Sequence, residues 1–171
     1  MADARLDTLW PIAIVLGYLV VSAVALILRT AFGEGFRDEE TLSRGSSVVL
    51  PMPLRQFLAW SMMPFWRFFR WVGLPATAVT TLATLLSFAS GLALARGSFS
   101  LGGWLYLASG LGDVLDGRLA RHHGTAGPRG AAIDSVLDRY SDAAVLMGLA
   151  IHLRHDGACV VAIAALVVFG L

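Results

Sequence analysis

The chain opens with an uncharged apolar run from Leu9 to Leu28. About 20 such residues are what a helix needs to cross the hydrocarbon core of a bilayer, so this run predicts a first membrane span. The tail before it places Asp3 and Asp7 around Arg5. A cleaved leader needs a positive amino-terminal region, so an uncleaved anchor is expected even though Ala23-Val24-Ala25 has the small residues of a cleavage site.

From Arg29 to Leu74 the apolar pattern breaks. The stretches around Gly33-Glu34-Gly35 and Asp38-Glu39-Glu40 show no periodic apolar face and read as a solvated linker. The stretch from Gln56 to Val72 differs. Phe57, Trp60, Phe65, Trp66, Phe68, Phe69 and Trp71 are interleaved with Arg67 and Arg70 and preceded by Arg55. This mixture predicts an amphipathic segment lying among lipid headgroups, with packing against the protein body as the competing use of the aromatics. Pro64 is expected to divide it into two short helices.

Three more apolar stretches follow, Pro75 to Ala95, Leu101 to Ala120 and Ile133 to Leu153, and another begins at Ala158. Short polar links join them. The last stretch ends at Leu171, too short for a span, so the sequence is expected to represent part of a longer protein. The predicted fold class is an all-α, polytopic transmembrane helical bundle truncated after about four spans. Its expected organisation is a tail and anchor over 1–28, a cytoplasmic linker and interfacial segment over 29–74, and a partial helical core over 75–171.

Composition agrees with a membrane protein, since 57% of the residues are apolar and 15% charged, and the mean hydropathy is +0.71. All 13 basic residues are arginine and 12 acids nearly cancel them, so no global field points to a nucleic acid partner. Their positions are more informative than their sum. Six arginines lie between Arg29 and Leu74, and Arg118, Arg121 and Arg129 lie near the next loop on the same side. The positive-inside rule therefore predicts that both loops face the cytoplasm, with Arg96 and Arg154 outside. Cys159, the single cysteine, has no CxxC partner and reads as a packing residue.

Two acids interrupt the apolar stretch that ends in Gly112-Asp113-Val114-Leu115-Asp116-Gly117-Arg118-Leu119-Ala120-Arg121. Charges at membrane depth cost several kcal/mol, about 3 on insertion scales, so they are retained where they are paired, hydrated or functional. Asp113 and Asp116 are three apart and share a helical face; Asp134, Asp138 and Asp142 follow at intervals of four on the next helix. The chain reverses between the sets, so Asp113, Asp116, Asp134 and Asp138 can converge. Crowded carboxylates require a neutralising cation or protons, and an all-oxygen ligand set favours Mg²⁺ or Mn²⁺, with room for one or two ions. Gly117, Ala120 and Gly130 leave space for a bulky ligand, and Arg121 can pair with phosphate oxygens.

These residues resemble the signature of the CDP-alcohol phosphotransferase family, D-x2-D-G-x2-A-R-x8-G-x3-D-x3-D. Asp113, Asp116, Gly117, Ala120, Arg121, Gly130, Asp134 and Asp138 match it in type and spacing. The resemblance implies transfer of a phosphatidyl group from a CDP-linked donor such as CDP-diacylglycerol to an alcohol, with release of CMP. It implies metal ligation by Asp113, Asp116, Asp134 and Asp138, with Asp138 also serving as the base, and a cytidine site formed by Gly117, Ala120, Arg121 and Gly130. It further implies a homodimer in a prokaryotic inner membrane. The Pro-Asn that often opens the family's first core span is here Pro75-Ala76, with the nearby Thr80 retained.

Other residues carry weaker signals. Arg139 is a candidate for an acceptor phosphate, and Asp142 is expected to support the site or to pair with Arg139 or another helix. His122 and His123 read as solvated loop residues, and Ala108 and Gly112 as close helix packing. A prenyl-diphosphate transferase would be expected to show DDxxD-like clusters. A non-catalytic scaffold or cation-binding module would show no response to cytidine nucleotides.

Overall fold

The computed structural model describes residues 2–33, 36, 51–155, 158, 160, 161, 163 and 165, with side chains from Trp10 onward. The acidic linker at Asp38-Glu39-Glu40, Asp156 and Cys159 lie outside the described residues. Five helices are defined among the described residues, and the chain divides into two compact units, Met1–Val72 and Gly73–Leu171.

The first unit holds α1 (Ala2–Ala31) and α2 (Met52–Val72). Within α1, Trp10–Ala31 is long and apolar enough to cross a membrane. Pro64 does not divide the aromatic segment, because α2 runs unbroken through it. A proline removes one helical N–H and crowds the preceding turn, and the contacts on either side of it offset that loss. Tyr18 of α1 donates to the Ser61 carbonyl and meets Phe65 edge-on, with ring centroids 5.7 Å apart. Trp60 donates its indole N–H to the Ser22 carbonyl at 3.2 Å, and Arg29 lies over the Trp60 ring at 5.3 Å. The two uses of the aromatics thus divide by residue, with Trp60 and Phe65 packed on α1 while Phe68 and Trp71 are exposed.

The second unit holds α3 (Ala76–Ala95), α4 (Phe99–His122) and α5 (Pro128–His152). Among the described residues α3 is the second helix apolar enough to span; α4 and α5, at 24 and 25 residues, have the length but carry the charges of the site. Glycines set both reversals. Gly97 (φ +79°) follows α3, where Ser98 N–H reaches Ala93 O at 2.9 Å and Gly97 N–H reaches Leu94 O at 2.9 Å. Gly124 (φ +67°) repeats the arrangement after α4, with Thr125 N–H on Ala120 O at 2.9 Å and Gly124 N–H on Arg121 O at 3.2 Å. Each is a Schellman cap, whose left-handed residue glycine adopts at least cost. Pro128 then starts α5 at a position where no helical N–H is needed.

α3 packs against both other helices. Toward α4 the contact is a hydroxyl ladder. Ser90 donates to Gly102 O at 2.7 Å, Ser109 donates to Ala83 O at 2.8 Å, and Ser87 lies 3.0 Å from the Ser109 hydroxyl. Ser109 spends its single proton on Ala83, so Ser87 is the donor of that pair. Bonds of this kind hold helices together where apolar burial gives little drive, because lipid is as apolar as the core. Toward α5 the contact is backbone on backbone, since a Cβ on Gly148 would fall 2.0 Å from Gly91 O and one on Gly91 would fall 2.3 Å from Ala144 O. Gly112 also packs closely, its missing Cβ lying 3.0 Å from the Ala83 methyl. Ala108, expected beside it in the interface, is exposed instead. Its neighbour Ser109 is the residue that points inward.

Candidate active site

The short α4–α5 reversal brings the carboxyl-terminal half of α4 beside the amino-terminal half of α5. Ligand atoms of Asp113, Asp116 and Asp134 all lie within 4.8 Å of one another. Asp116 is only 4% exposed, and Thr80 of α3 donates to its Oδ2 at 2.5 Å. Asp134 Oδ1 is buried without a hydrogen-bond partner. Asp138, one turn after Asp134 on α5, stands outside this group of three.

Three converging carboxylates, one with an orphaned oxygen, fit a divalent cation. A buried acceptor with no donor is uncommon, and a cation would satisfy it while relieving the repulsion among its neighbours. The donor atoms are all oxygen, which suits a hard ion.

Beside the carboxylates lies a cavity of about 460 Å³, within the range of small-molecule sites. Asp116, Gly117, Ala120, Arg121, Gly130 and Asp134 line it, so six residues anticipated from the motif share one wall. The Arg121 guanidinium folds back over Gly117, with Nη1 3.3 Å from where a Gly117 Cβ would stand. A Cβ on Gly130 would meet nothing within 4 Å, so the open space there belongs to the cavity. The first turns of α3 (Ala76, Thr77) and α5 (Gly130, Ala131) also border it. The α3 terminus has no side-chain cap, and helix amino termini attract anions.

Sequence reasoning missed part of this wall. Thr77, Thr81, His123 and Thr125 line the cavity. The Schellman turn after Ala120 is what carries His123 and Thr125 to it. The glycine at 124 was the available signal, since it marks a chain folding back on its own helix. Arg139 and Asp142 are not among the lining residues. Arg139 is exposed, and Asp142 accepts a hydrogen bond from Tyr106 of α4 at 3.0 Å.

Residues 73–171, more than half of the chain, match the CDP-alcohol phosphatidyltransferase family. The chain belongs to that family. Archaetidylinositol phosphate synthase of Methanothermobacter thermautotrophicus is 38% identical over 78 residues, 46% of this chain and 40% of the relative. Phosphatidylinositol phosphate synthase of Mycobacterium tuberculosis is 37% identical over 110 residues, covering 61% of this chain and 51% of that protein. A bifunctional IPC transferase and DIPP synthase of Rubrobacter xylanophilus is 45% identical over 73 residues, 40% of this chain and 16% of the relative. The chain thus spans about half or less of the length of these relatives. No solved structure matches. Membership in a family of membrane enzymes, with α1 and α3 long and apolar enough to span, marks the chain as an integral membrane protein. The family signature and the cavity wall coincide at Asp116, Gly117, Ala120, Arg121, Gly130 and Asp134, all within the matched region.

Proposed function

We propose that residues 75–171 carry the donor site of a phosphatidyltransferase that moves a phosphatidyl group from CDP-diacylglycerol to a polyol phosphate and releases CMP. The observation that carries this reading is the carboxylate cluster with its orphaned Asp134 oxygen, opening onto a cavity walled by Gly117, Ala120, Arg121 and Gly130. The relatives' names, archaetidylinositol phosphate synthase and phosphatidylinositol phosphate synthase, support an inositol phosphate as acceptor.

In this reading Asp113, Asp116 and Asp134 would hold one or two ions of Mg²⁺ or Mn²⁺, with Asp138 as a further candidate ligand. When bound, such an ion supplies positive charge to the donor diphosphate and to the phosphate of departing CMP. Thr80 fixes the rotamer of Asp116 by its hydrogen bond. The cytidine end of the donor occupies the cavity, with Arg121 and the amino termini of α3 and α5 binding phosphate oxygens. Asp138 accepts the proton of the acceptor hydroxyl as its oxygen bonds to the phosphorus bearing diacylglycerol, and the bond from that phosphorus to CMP breaks. Arg139 binds the acceptor's own phosphate in this reading. The site faces the cytoplasm of a prokaryotic inner membrane, on the arginine distribution, and the active form is a homodimer anchored additionally by α1.

The direct test is CMP release by the detergent-solubilised full chain given CDP-diacylglycerol and inositol phosphate. Activity is expected with Mg²⁺ or Mn²⁺ and is expected to fall at least about 100-fold in excess chelator, several kcal/mol of charge stabilisation being lost. Undiminished turnover after chelation would refute the metal assignment.

Gly117→Val tests the cavity separately. The new side chain displaces the Arg121 guanidinium, so affinity for cytidine diphosphate is expected to fall about tenfold, or about 1.4 kcal/mol. Calorimetric titration against the melting temperature separates this from misfolding, and unaltered affinity would remove Gly117 and Arg121 from the nucleotide site.

A further inference from the structure

The cavity beside the carboxylates has two kinds of lining. Ala120, Ala126, Gly127 and Ala131 present nothing larger than a methyl group, so a flat ring can lie close to the backbone there. Alongside these stand Thr77, Thr81, His123 and Thr125, four polar residues outside the motif to which the transfer described above gives no task. Their hydrogen-bonding capacities differ. Thr81 donates its hydroxyl proton to Thr77 O at 2.8 Å, and Thr125 donates its own to Ala120 O at 3.3 Å. A hydroxyl has one proton, so from a ligand both oxygens can only accept. Thr77 and His123 are not fixed in this way, since a hydroxyl can turn and an imidazole can change tautomer.

Two fixed acceptors discriminate only against a group that cannot donate. A ribose hydroxyl both donates and accepts, so it fits such a wall or its opposite equally well. Nucleobases are less adaptable. The exocyclic amine of cytosine offers N–H donors at the position where uracil carries a carbonyl oxygen. Against Thr81 and Thr125 the amine finds an acceptor for each of its two N–H groups. The carbonyl instead sets acceptor against acceptor and loses its bonds to water without replacement. A closed site built around such a bond rejects the analogue that lacks it by about 10⁴-fold or more. Both threonines are exposed, so water bridges lessen the penalty, and about tenfold is expected here.

From these bonds we infer that Thr81 and Thr125 select the base of the nucleotide donor, their oxygens accepting the amine of cytosine and disfavouring uracil. The inference rests on the phosphatidyltransferase reading above.

Calorimetric titration of the detergent-solubilised full chain with cytidine diphosphate and with uridine diphosphate, in Mg²⁺, tests it. Wild type is expected to bind the cytidine nucleotide about tenfold more tightly, or about 1.4 kcal/mol. Thr81→Val and Thr125→Val keep the branched shape of the side chain and remove its oxygen. Each is expected to weaken the preference, and the double variant to bring the two affinities within about threefold, with little change for uridine diphosphate. Thr125→Ser retains the oxygen and should retain the preference. A wild type that releases CMP from CDP-diacylglycerol yet binds the two nucleotides alike overturns this inference alone, with no variant needed. So does a preference that survives in the folded double variant. An equal loss for both nucleotides with a lowered melting temperature would make the threonines structural and also overturn it. A wild type that releases no CMP with any acceptor refutes the transferase reading, and this inference with it.

Discussion

Asp138→Asn is expected to reduce acceptor-dependent CMP release by about 10³-fold while leaving the binding of cytidine diphosphate and metal within a few-fold of wild type. Asp138 is one helical turn from Asp134, yet it stands outside the cluster of three and does not line the cavity. Its place is therefore beside the carboxylate cluster, where the proposed function puts the acceptor hydroxyl. Asparagine has nearly the same shape and cannot take up a proton, so the substitution removes basicity with little repacking. The loss should appear in kcat, and CMP release and nucleotide titration measured on the same preparation separate the two effects. Turnover that persists in Asp138→Asn would assign the base elsewhere.

Gly148→Val is expected to abolish activity through the fold. The residue is buried against Gly91, and a Cβ at 148 would sit 2.0 Å from the Gly91 carbonyl oxygen and 2.8 Å from its Cα. A long side chain could rotate away from such a clash, but a backbone cannot, so α3 and α5 must separate. Overpacking a core costs about 1–3 kcal/mol where side chains can yield, and rigid atoms put this substitution at or above the upper end. The separation also shifts α5, which carries Asp134 and Asp138, relative to α3, which carries Thr80. A large fall in melting temperature together with loss of CMP release is expected. Gly110→Ala provides the contrast, since a Cβ there meets nothing within 4 Å, and its melting temperature and rate should stay close to wild type. Equal melting temperatures for Gly148→Val and wild type would contradict the backbone contact.

The grouping of the carboxylates could be read before the fold was known because their spacing is local. Three or four residues along a helix fix a shared face whatever surrounds it, so Asp113 with Asp116, and Asp134 with Asp138, were paired by their intervals alone. The reversal between them was legible from the short polar link that separates two apolar stretches. Local pattern failed where the answer lay on another helix. Pro64 predicted a break that contacts with α1 override. Asp142 had open partners until Tyr106 was found facing it.

The amino-acid sequence by itself determined the apolar helices, the motif, and the carboxylates that share a face of each helix. Each of these depends on residue type and on a periodicity carried by one helix. Only the tertiary structure decided which carboxylates converge first, that Thr80 holds Asp116, that Asp134 has an orphaned oxygen, and that α3 and α5 meet at Gly91 and Gly148. Those facts depend on the rotation and separation of helices about their axes, which is set by small residues and hydroxyls spread across three helices rather than by any one stretch of chain.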